Sequence, residues 1–368
     1  MDRPLSGLKV VELARILAGP WAGQLLADLG ADVVKVERPG KGDDTRSWGP
    51  PFAADGSAAY FHSCNRGKTS VALDFESAED REKIRALAAE ADVLIENFKV
   101  GSLARYGLDY PSLRSLNPRL IYCSITGFGQ NGPYAARPGY DFIVQAMGGI
   151  MDLTGEPSGE PQKIGVAFAD IFTGVYASTA ILAALQGRHA SNVGCHIDMA
   201  LLDTQVAVLA NQAMNYLITG EAPHRLGNAH PNIAPYQTFR LVDGHVVIAV
   251  GNDRQFRSLC DLLGRSDLAE DERFASNAER VRNRELLEAA LMPLLALRRC
   301  DELLAALASA GVPSGPINDL AAVFADPQVA FRGMRIERND IPGIASPIVI
   351  DGRRQIADLG SPPLPEAS

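Results

Sequence analysis

The first hundred residues alternate strand patterns with helix patterns, an order that few folds accept. Leu8-Lys9-Val10-Val11-Glu12-Leu13 reads as a buried strand, Pro20 to Leu29 as a short helix stopped by Gly30, and Asp32-Val33-Val34-Lys35-Val36-Glu37 as the next strand. A helix follows from Ala78, with Ser77 as N-cap and Asp80 three residues on, like a capping box. Val93-Leu94-Ile95 and Leu120-Ile121-Tyr122-Cys123-Ser124 continue the strands. Alternation of this kind predicts an α/β fold with a parallel, doubly wound, Rossmann-like sheet. His196 to Met199 adds a strand, followed by a long apolar helix from Leu201 to Ile218.

The texture changes after Gly220. Pro223 to Pro235 is rich in Pro, Asn, His and Gly and reads as linker. A second unit follows, with a strand at His245–Val250 and helices near Asp253–Leu263, Arg284–Leu297 and Asp301–Ala310. A chain of 368 residues exceeds what one core usually holds. The expected division is a large domain over 1–200, a linker helix and loop over 201–235, and a smaller α+β domain over 236–320.

A formal net charge of −9 argues against nucleic acid as a partner but leaves room for a local basic pocket. Five scattered cysteines without a C-x-x-C pair form neither a disulfide framework nor a metal cage. They predict buried thiols in a reducing, cytoplasmic setting. No signal peptide is read at the N-terminus. Val166 to Leu185 is apolar enough to be mistaken for a membrane span, but it reads as a buried helix.

The first strand is not followed by G-x-G-x-x-G; Ala14 to Pro20 holds one glycine and a proline, which argues against a nicotinamide dehydrogenase. Lys35, Arg38, Lys41, Arg46, Arg66 and Lys68 gather between the second strand and the capped helix. They are either a pocket for a multiply charged phosphate ligand or a solvated face, since Glu37, Asp43 and Asp44 are interleaved. Asp170 is the only charge in the apolar run 166–185. It reads as the N-cap of a helix starting at Ile171, as a nucleophile held ionised by that helix's N-terminus, or as both.

Taken together, these segments resemble the class III CoA-transferase family, which includes formyl-CoA and carnitine CoA-transferases and α-methylacyl-CoA racemases. The resemblance runs nearly end to end. It rests on Leu8–Leu13 with Ala18-Gly19-Pro20, Gly30-Ala31-Asp32-Val33-Val34-Lys35-Val36-Glu37, Asn65-Arg66-Gly67-Lys68-Thr69-Ser70 and Glu96-Asn97-Phe98. Gly127-Phe128-Gly129, Arg137-Pro138-Gly139-Tyr140-Asp141, Ala169-Asp170, Pro235-Tyr236, Gly251-Asn252-Asp253 and Asp326-Pro327-Gln328-Val329 follow in order.

The resemblance implies that Asp170 is the nucleophile and that Arg38, Asn97, Arg105 and Tyr106 contact CoA; the basic cluster places Lys68 nearby. It further implies an interlocked, ring-like homodimer whose large domain is completed by residues 325–368. A carboxylate attacking a thioester gives a mixed anhydride, which keeps the thioester's activation; the CoA thiolate then attacks the Asp170 carbonyl to leave an enzyme–CoA thioester. This chemistry needs no metal or redox cofactor, only N–H groups for the oxyanions, with Gly148-Gly149 and Ala18-Gly19 as candidates. Leu17 stands where formyl-CoA transferases carry glutamine, and their glycine-rich loop has no counterpart near Tyr236–Gly251, which argues against formate and oxalate. The expected substrates are an acyl-CoA, with succinyl-CoA as donor, and a small dicarboxylic acid. The alternatives are a 2-methylacyl-CoA racemase and a non-catalytic CoA-binding module. In the racemases a histidine precedes the motif's aspartate. Here Tyr140 takes that place and is expected to line the acyl pocket, leaving His62 as the histidine able to approach in space.

Overall fold

The computed structural model describes residues 3–366. Its contacts cluster into two compact units, one of 1–150, 163–209 and 326–368, the other of 151–162 and 210–325. The expected linker, 201–235, is thus divided between them.

The first unit is built on six strands: β1 (Lys9–Glu12), β2 (Asp32–Glu37), β3 (Lys68–Ala72), β4 (Val93–Glu96), β5 (Ile121–Thr126) and β6 (His196–Ala200). All pair in parallel in the order β3-β2-β1-β4-β5-β6. This is the doubly wound order, with its switch point between β1 and β4. Helices α1 (Ala18–Asp28), α2 (Ala59–His62), α3 (Ala78–Glu90), α4 (Tyr110–Leu116) and α5 (Asp141–Met147) follow the strands; α6 (Ile150–Leu153) belongs mostly to the second unit, and α7 (Phe168–Ser191) and α8 (Leu201–Ala207) complete the first. Successive strand residues feed opposite cores. Val10, Val33, Ile95 and Ile121 pack with α1 and α7, while Val11, Val36, Leu94 and Tyr122 pack with α3 and α4. A sheet buried on both faces needs near-continuous apolar strands, which explains why β1, β2 and β4 were readable. Ser77 caps α3 as expected, accepting from the Asp80 N–H.

α7 is long and apolar enough to cross a membrane, but it is amphipathic in its packing. Ala169, Thr173, Gly174, Ala177, Ile181 and Leu185 are buried at helical spacing, while Phe172, Val175 and Tyr176 lie exposed on another face. The helix expected over 201–218 is broken: α8 ends at Ala207, Ala210 adopts φ +47°, and α9 (Ala210–Thr219) starts in the second unit. β3 was not anticipated, because it opens on Lys68 and carries Thr and Ser.

The tail from 326 packs into the first unit. The Arg46 guanidinium donates to Pro362 O at 3.1 Å, Arg66 Nη1 to Ile344 O at 2.8 Å, and the Ala357 N–H to Asp28 Oδ1 at 2.9 Å.

The second unit has an antiparallel sheet of β7 (Tyr236–Arg240), β8 (His245–Ala249) and β9 (Ser314–Pro316), in that order. Helices α10 (Asp253–Leu262), α11 (Ser266–Glu270), α12 (Asn277–Arg282), α13 (Arg284–Leu295) and α14 (Cys300–Ser309) share its core of Phe239, Val246, Ile248, Phe256, Leu259, Leu291 and Leu307.

Candidate active site

The site is assembled at the carboxyl ends of β1, β4 and β5. Beyond β1, the Leu13 and Ala14 N–H groups both reach Ile95 O. Asn97 then clamps the next residue from both sides. Its Oδ1 accepts from the Arg15 N–H at 2.9 Å, and its Nδ2 donates to Arg15 O at 2.6 Å. Ile16 is left-handed at φ +73°, an unusual conformation for a β-branched residue. The Asp43 carboxylate meets its N–H at 3.3 Å. The chain thereby enters α1 at Leu17 and Ala18.

Two close approaches bring the remaining parts in. A Cβ on Gly174 would lie 2.7 Å from Ala18 O, so glycine lets α7 touch the first turn of α1. A Cβ on Gly127 would lie 2.5 Å from the Gly139 Cα, so the loop after β5 meets the 137–140 turn backbone to backbone. Tyr140 becomes the N-cap residue of α5, 59% exposed, and Asp141 opens the helix.

Between these parts lies a cavity of about 400 Å³. Asp170, Tyr140, Leu17, Ala18 and Asn97 line it, together with Arg15, Asp44, Phe98 and Arg137. This is the switch-point crevice where ligands bind in open α/β sheets. A larger cavity of about 570 Å³, between 51–66 and 334–347, is lined by Arg66 of the basic cluster but not by Asp170, Tyr140, Arg38 or Asn97. His62 lines that second cavity, with Nε2 3.2 Å from Asp55 Oδ1. The histidine considered for a racemase therefore lines a cavity other than Asp170's.

Asp170 is not the N-cap of α7. The helix begins at Phe168, and the Asp141 carboxylate takes the capping role. Its Oδ1 accepts from the Ala169 N–H at 2.8 Å and from the Asp170 N–H at 3.3 Å. Burial, followed by repulsion from Asp141, pushes the Asp170 carboxyl up to about 7. The helix N-terminus, expected to hold Asp170 ionised, is occupied by another carboxylate. Tyr60 was missed in the sequence; burial, then the charges on Asp170 and others, push its phenol up. It stacks edge-on with Trp48 at 5.2 Å.

Other expected contacts separate. Arg38 is half exposed and pairs with Asp44, which also holds Arg15 Nη1 at 3.0 Å. Lys68 is 2% exposed, and its ammonium is bound by Glu12, Asn65 and Pro20 O; it does not reach the cavity. The strand's pleat turns it inward, which composition could not reveal. Gly148 and Gly149 end α5 against Gln205 and Leu209 and do not line the cavity. Arg105 and Tyr106 sit on the surface around Glu76, also outside the cavity, with the Tyr106 hydroxyl donating to Glu76 Oε1 at 2.6 Å. A row of rings, Tyr106–Phe75–Phe98, runs from them to the cavity wall at centroid spacings of 5.7 and 5.5 Å.

The sequence profile of CoA-transferase family III matches residues 5–366. A succinate–glutarate CoA-transferase of Agrobacterium fabrum is 56% identical, covering 99% of this chain and 93% of that protein. The human succinyl-CoA:glutarate CoA-transferase is 41% identical, covering 98% of this chain and 83% of that protein. A crystal structure of a CaiB/BaiF family protein from Brucella suis superposes with a TM-score of 0.89 at 62% identity, covering 100% of this chain and 97% of the other.

Proposed function

The chain belongs to CoA-transferase family III and is a CoA-transferase, and we propose that Asp170 is its covalent nucleophile, with succinyl-CoA as donor and a small dicarboxylic acid as acceptor. The observation that carries the nucleophile is a carboxyl in the switch-point cavity that no hydrogen-bond donor among the described residues engages. A carboxylate without hydrogen-bond donors, whose ionisation is opposed by partial burial and a neighbouring like charge, is a reactive one. The proposed substrates are of the kind that the names of the succinate–glutarate relatives give.

The Asp170 carboxylate attacks the thioester carbonyl; an O–C bond forms, the C–S bond breaks, and CoA leaves as thiolate. The thiolate attacks the Asp170 carbonyl of the mixed anhydride and releases the first acid. The acceptor acid runs these steps in reverse and leaves as its CoA thioester. The first-turn N–H groups of α1 at Ala18 and Gly19 have no preceding turn to bond and are the oxyanion donors of this reading. Gly148 and Gly149 are not. No metal or redox cofactor enters any step.

Arg38, Arg15 and the Asn97–Phe98 turn are the CoA-binding elements, with Arg105 and Tyr106 at the far end of the ring row. The protein acts as an interlocked homodimer, in which a partner covers the exposed Phe172, Val175 and Tyr176 of α7. Five free thiols fit a reducing compartment, and a cytoplasmic location is part of the same reading.

The test is incubation with succinyl-CoA followed by hydroxylamine, with peptide mapping. Hydroxamate at Asp170, and loss of turnover in Asp170→Ala, are expected; full turnover of that variant would overturn the assignment. A panel of acceptor acids decides the second substrate, and it includes oxalate because an acetyl-CoA:oxalate CoA-transferase of Acetobacter aceti is 42% identical. Light scattering that finds a monomer would remove the dimer.

A further inference from the structure

We infer that Asp141 is a positioning residue for the nucleophile: its carboxylate takes the N-terminal N–H groups of α7, so that Asp170 is denied hydrogen-bond donors and faces a like charge. The inference rests on Asp170 being the nucleophile.

The geometry is specific. Ala167, the N-cap residue of α7, makes no side-chain cap, and Asp141 Oδ1 supplies one from another helix, to Ala169 and Asp170. Its Oδ2 accepts from Gln145 Nε2 at 2.7 Å. Gln145 is itself fully buried and fixed, since its Oε1 accepts from the Ile164 N–H at 2.9 Å and its Nε2 also reaches Val166 O at 3.3 Å. Asp141 is thus held in one orientation from behind. A carboxylate in the first turn of a helix ordinarily gains from the helix N-terminus. Here that gain goes to Asp141, and Asp170, one turn before the α1–α7 contact, is left with burial and repulsion, the two causes that raise its pKa.

The remaining groups around Asp170 do not reverse this. Tyr60 on α2 is a neutral phenol within electrostatic reach of Asp170, and Tyr140, the N-cap residue of α5, lines the same cavity as Asp170. Asp44 also lines the cavity, and Arg15 is bonded to it, while Lys99 lines the cavity as an exposed ammonium in solvent. Arg137 lies against the Tyr134 ring, 3.9 Å from its centroid.

The chemical consequence has two parts. Acylation removes the Asp170 charge, so repulsion from Asp141 is relieved as the O–C bond forms and the C–S bond breaks. The same repulsion opposes regeneration of the free carboxylate, so it also favours the covalent enzyme at equilibrium.

The experiment compares the unmodified protein with Asp141→Asn, which keeps an acceptor oxygen but no charge, and Asp141→Glu, which keeps the charge. Single-turnover acylation by succinyl-CoA is followed across pH, and the enzyme–CoA adduct is quantified by intact mass. In Asp141→Asn the midpoint of the acid limb should fall by about one pH unit, the usual size of a like-charge effect. Its adduct fraction at equilibrium should fall severalfold. Asp141→Glu should be slower but keep the high midpoint, which separates charge from folding. An Asn variant that is folded, forms the Asp170 adduct and keeps the original midpoint overturns the inference alone. Absence of any Asp170 adduct in the unmodified protein overturns the nucleophile assignment instead.

Discussion

The ammonium of Lys68 lies 2.9 Å from the Glu12 carboxylate, and neither side chain touches solvent. Lys35 reaches the same carboxylate at 3.0 Å and Asp43 at 2.9 Å. Asp43 in turn meets the Ile16 N–H at the cavity wall. A buried charge network therefore supports the turn that carries Arg15 to Ala18.

Lys68→Met should accordingly act on stability. Removing one partner of a buried ion cluster typically costs about 3–5 kcal/mol, because the remaining charge is left uncompensated. Urea unfolding should register that loss, while calorimetry on the folded protein should find CoA affinity little changed. A stable variant with weakened CoA binding would return Lys68 to the ligand site.

With Asp170 as the proposed nucleophile, an acid limb on activity is expected. Its carboxyl is pushed up to about 7, and in that role only the carboxylate would attack. As pH falls below about 7 the reactive fraction drops tenfold per unit, and as pH rises above it the rate levels off. Single-turnover rates between pH 5 and pH 9 check this. A limb centred near 4, the ordinary range for a carboxyl, would contradict it.

Asp44 bridges Arg15 and Arg38 at the cavity mouth. These are half-exposed ion pairs, so their loss costs little. Removing the carboxylate frees two guanidiniums for an anionic ligand and removes its repulsion. Asp44→Asn should tighten CoA binding by about two- to tenfold at low salt, with the gain shrinking as salt is added. Titration calorimetry at two ionic strengths decides the sign.

Gly174→Ala offers a test of the helix contact. On an exposed helix the change would stabilise by about 1 kcal/mol. Here the new Cβ falls 2.7 Å from Ala18 O and 2.9 Å from the Trp21 Cβ. Overpacking should win, with a loss of about 1–3 kcal/mol and a lower turnover as α1 shifts from Asp170. A raised melting temperature would show that the two helices separate without strain.

Much of the sheet was legible because strands buried on both faces need apolar runs, and β2 and the Ser77 cap were read at their observed positions. Asp170 stood out because a lone charge in such a run needs a reason. What escaped depends on meetings across space. Asp141 caps a helix 28 residues away, and Asn97 clamps a backbone 82 residues away. No local pattern marks either. Lys68 and Arg38 looked alike as members of one basic cluster, but the pleat of β3 buries the first, while the second lies past the end of β2 at the surface. Gly148 and Gly149 looked suited to an oxyanion, but they close the far end of α5.

Because residues 326–368 complete the first unit while 210–325 form the second, the order of synthesis and the order of folding must differ. The second unit is nearly all contiguous and can collapse while the chain is still emerging from the ribosome. The first cannot finish until its last forty or so residues arrive. Until then Arg46, Arg66 and Asp28 wait for partners at Pro362, Ile344 and Ala357, more than 270 positions downstream. The nascent chain therefore carries a sheet domain without its closing tail from the end of α8 at Ala207 until residues 326 onward emerge, and in that interval its apolar helices are most exposed to chaperones and to aggregation.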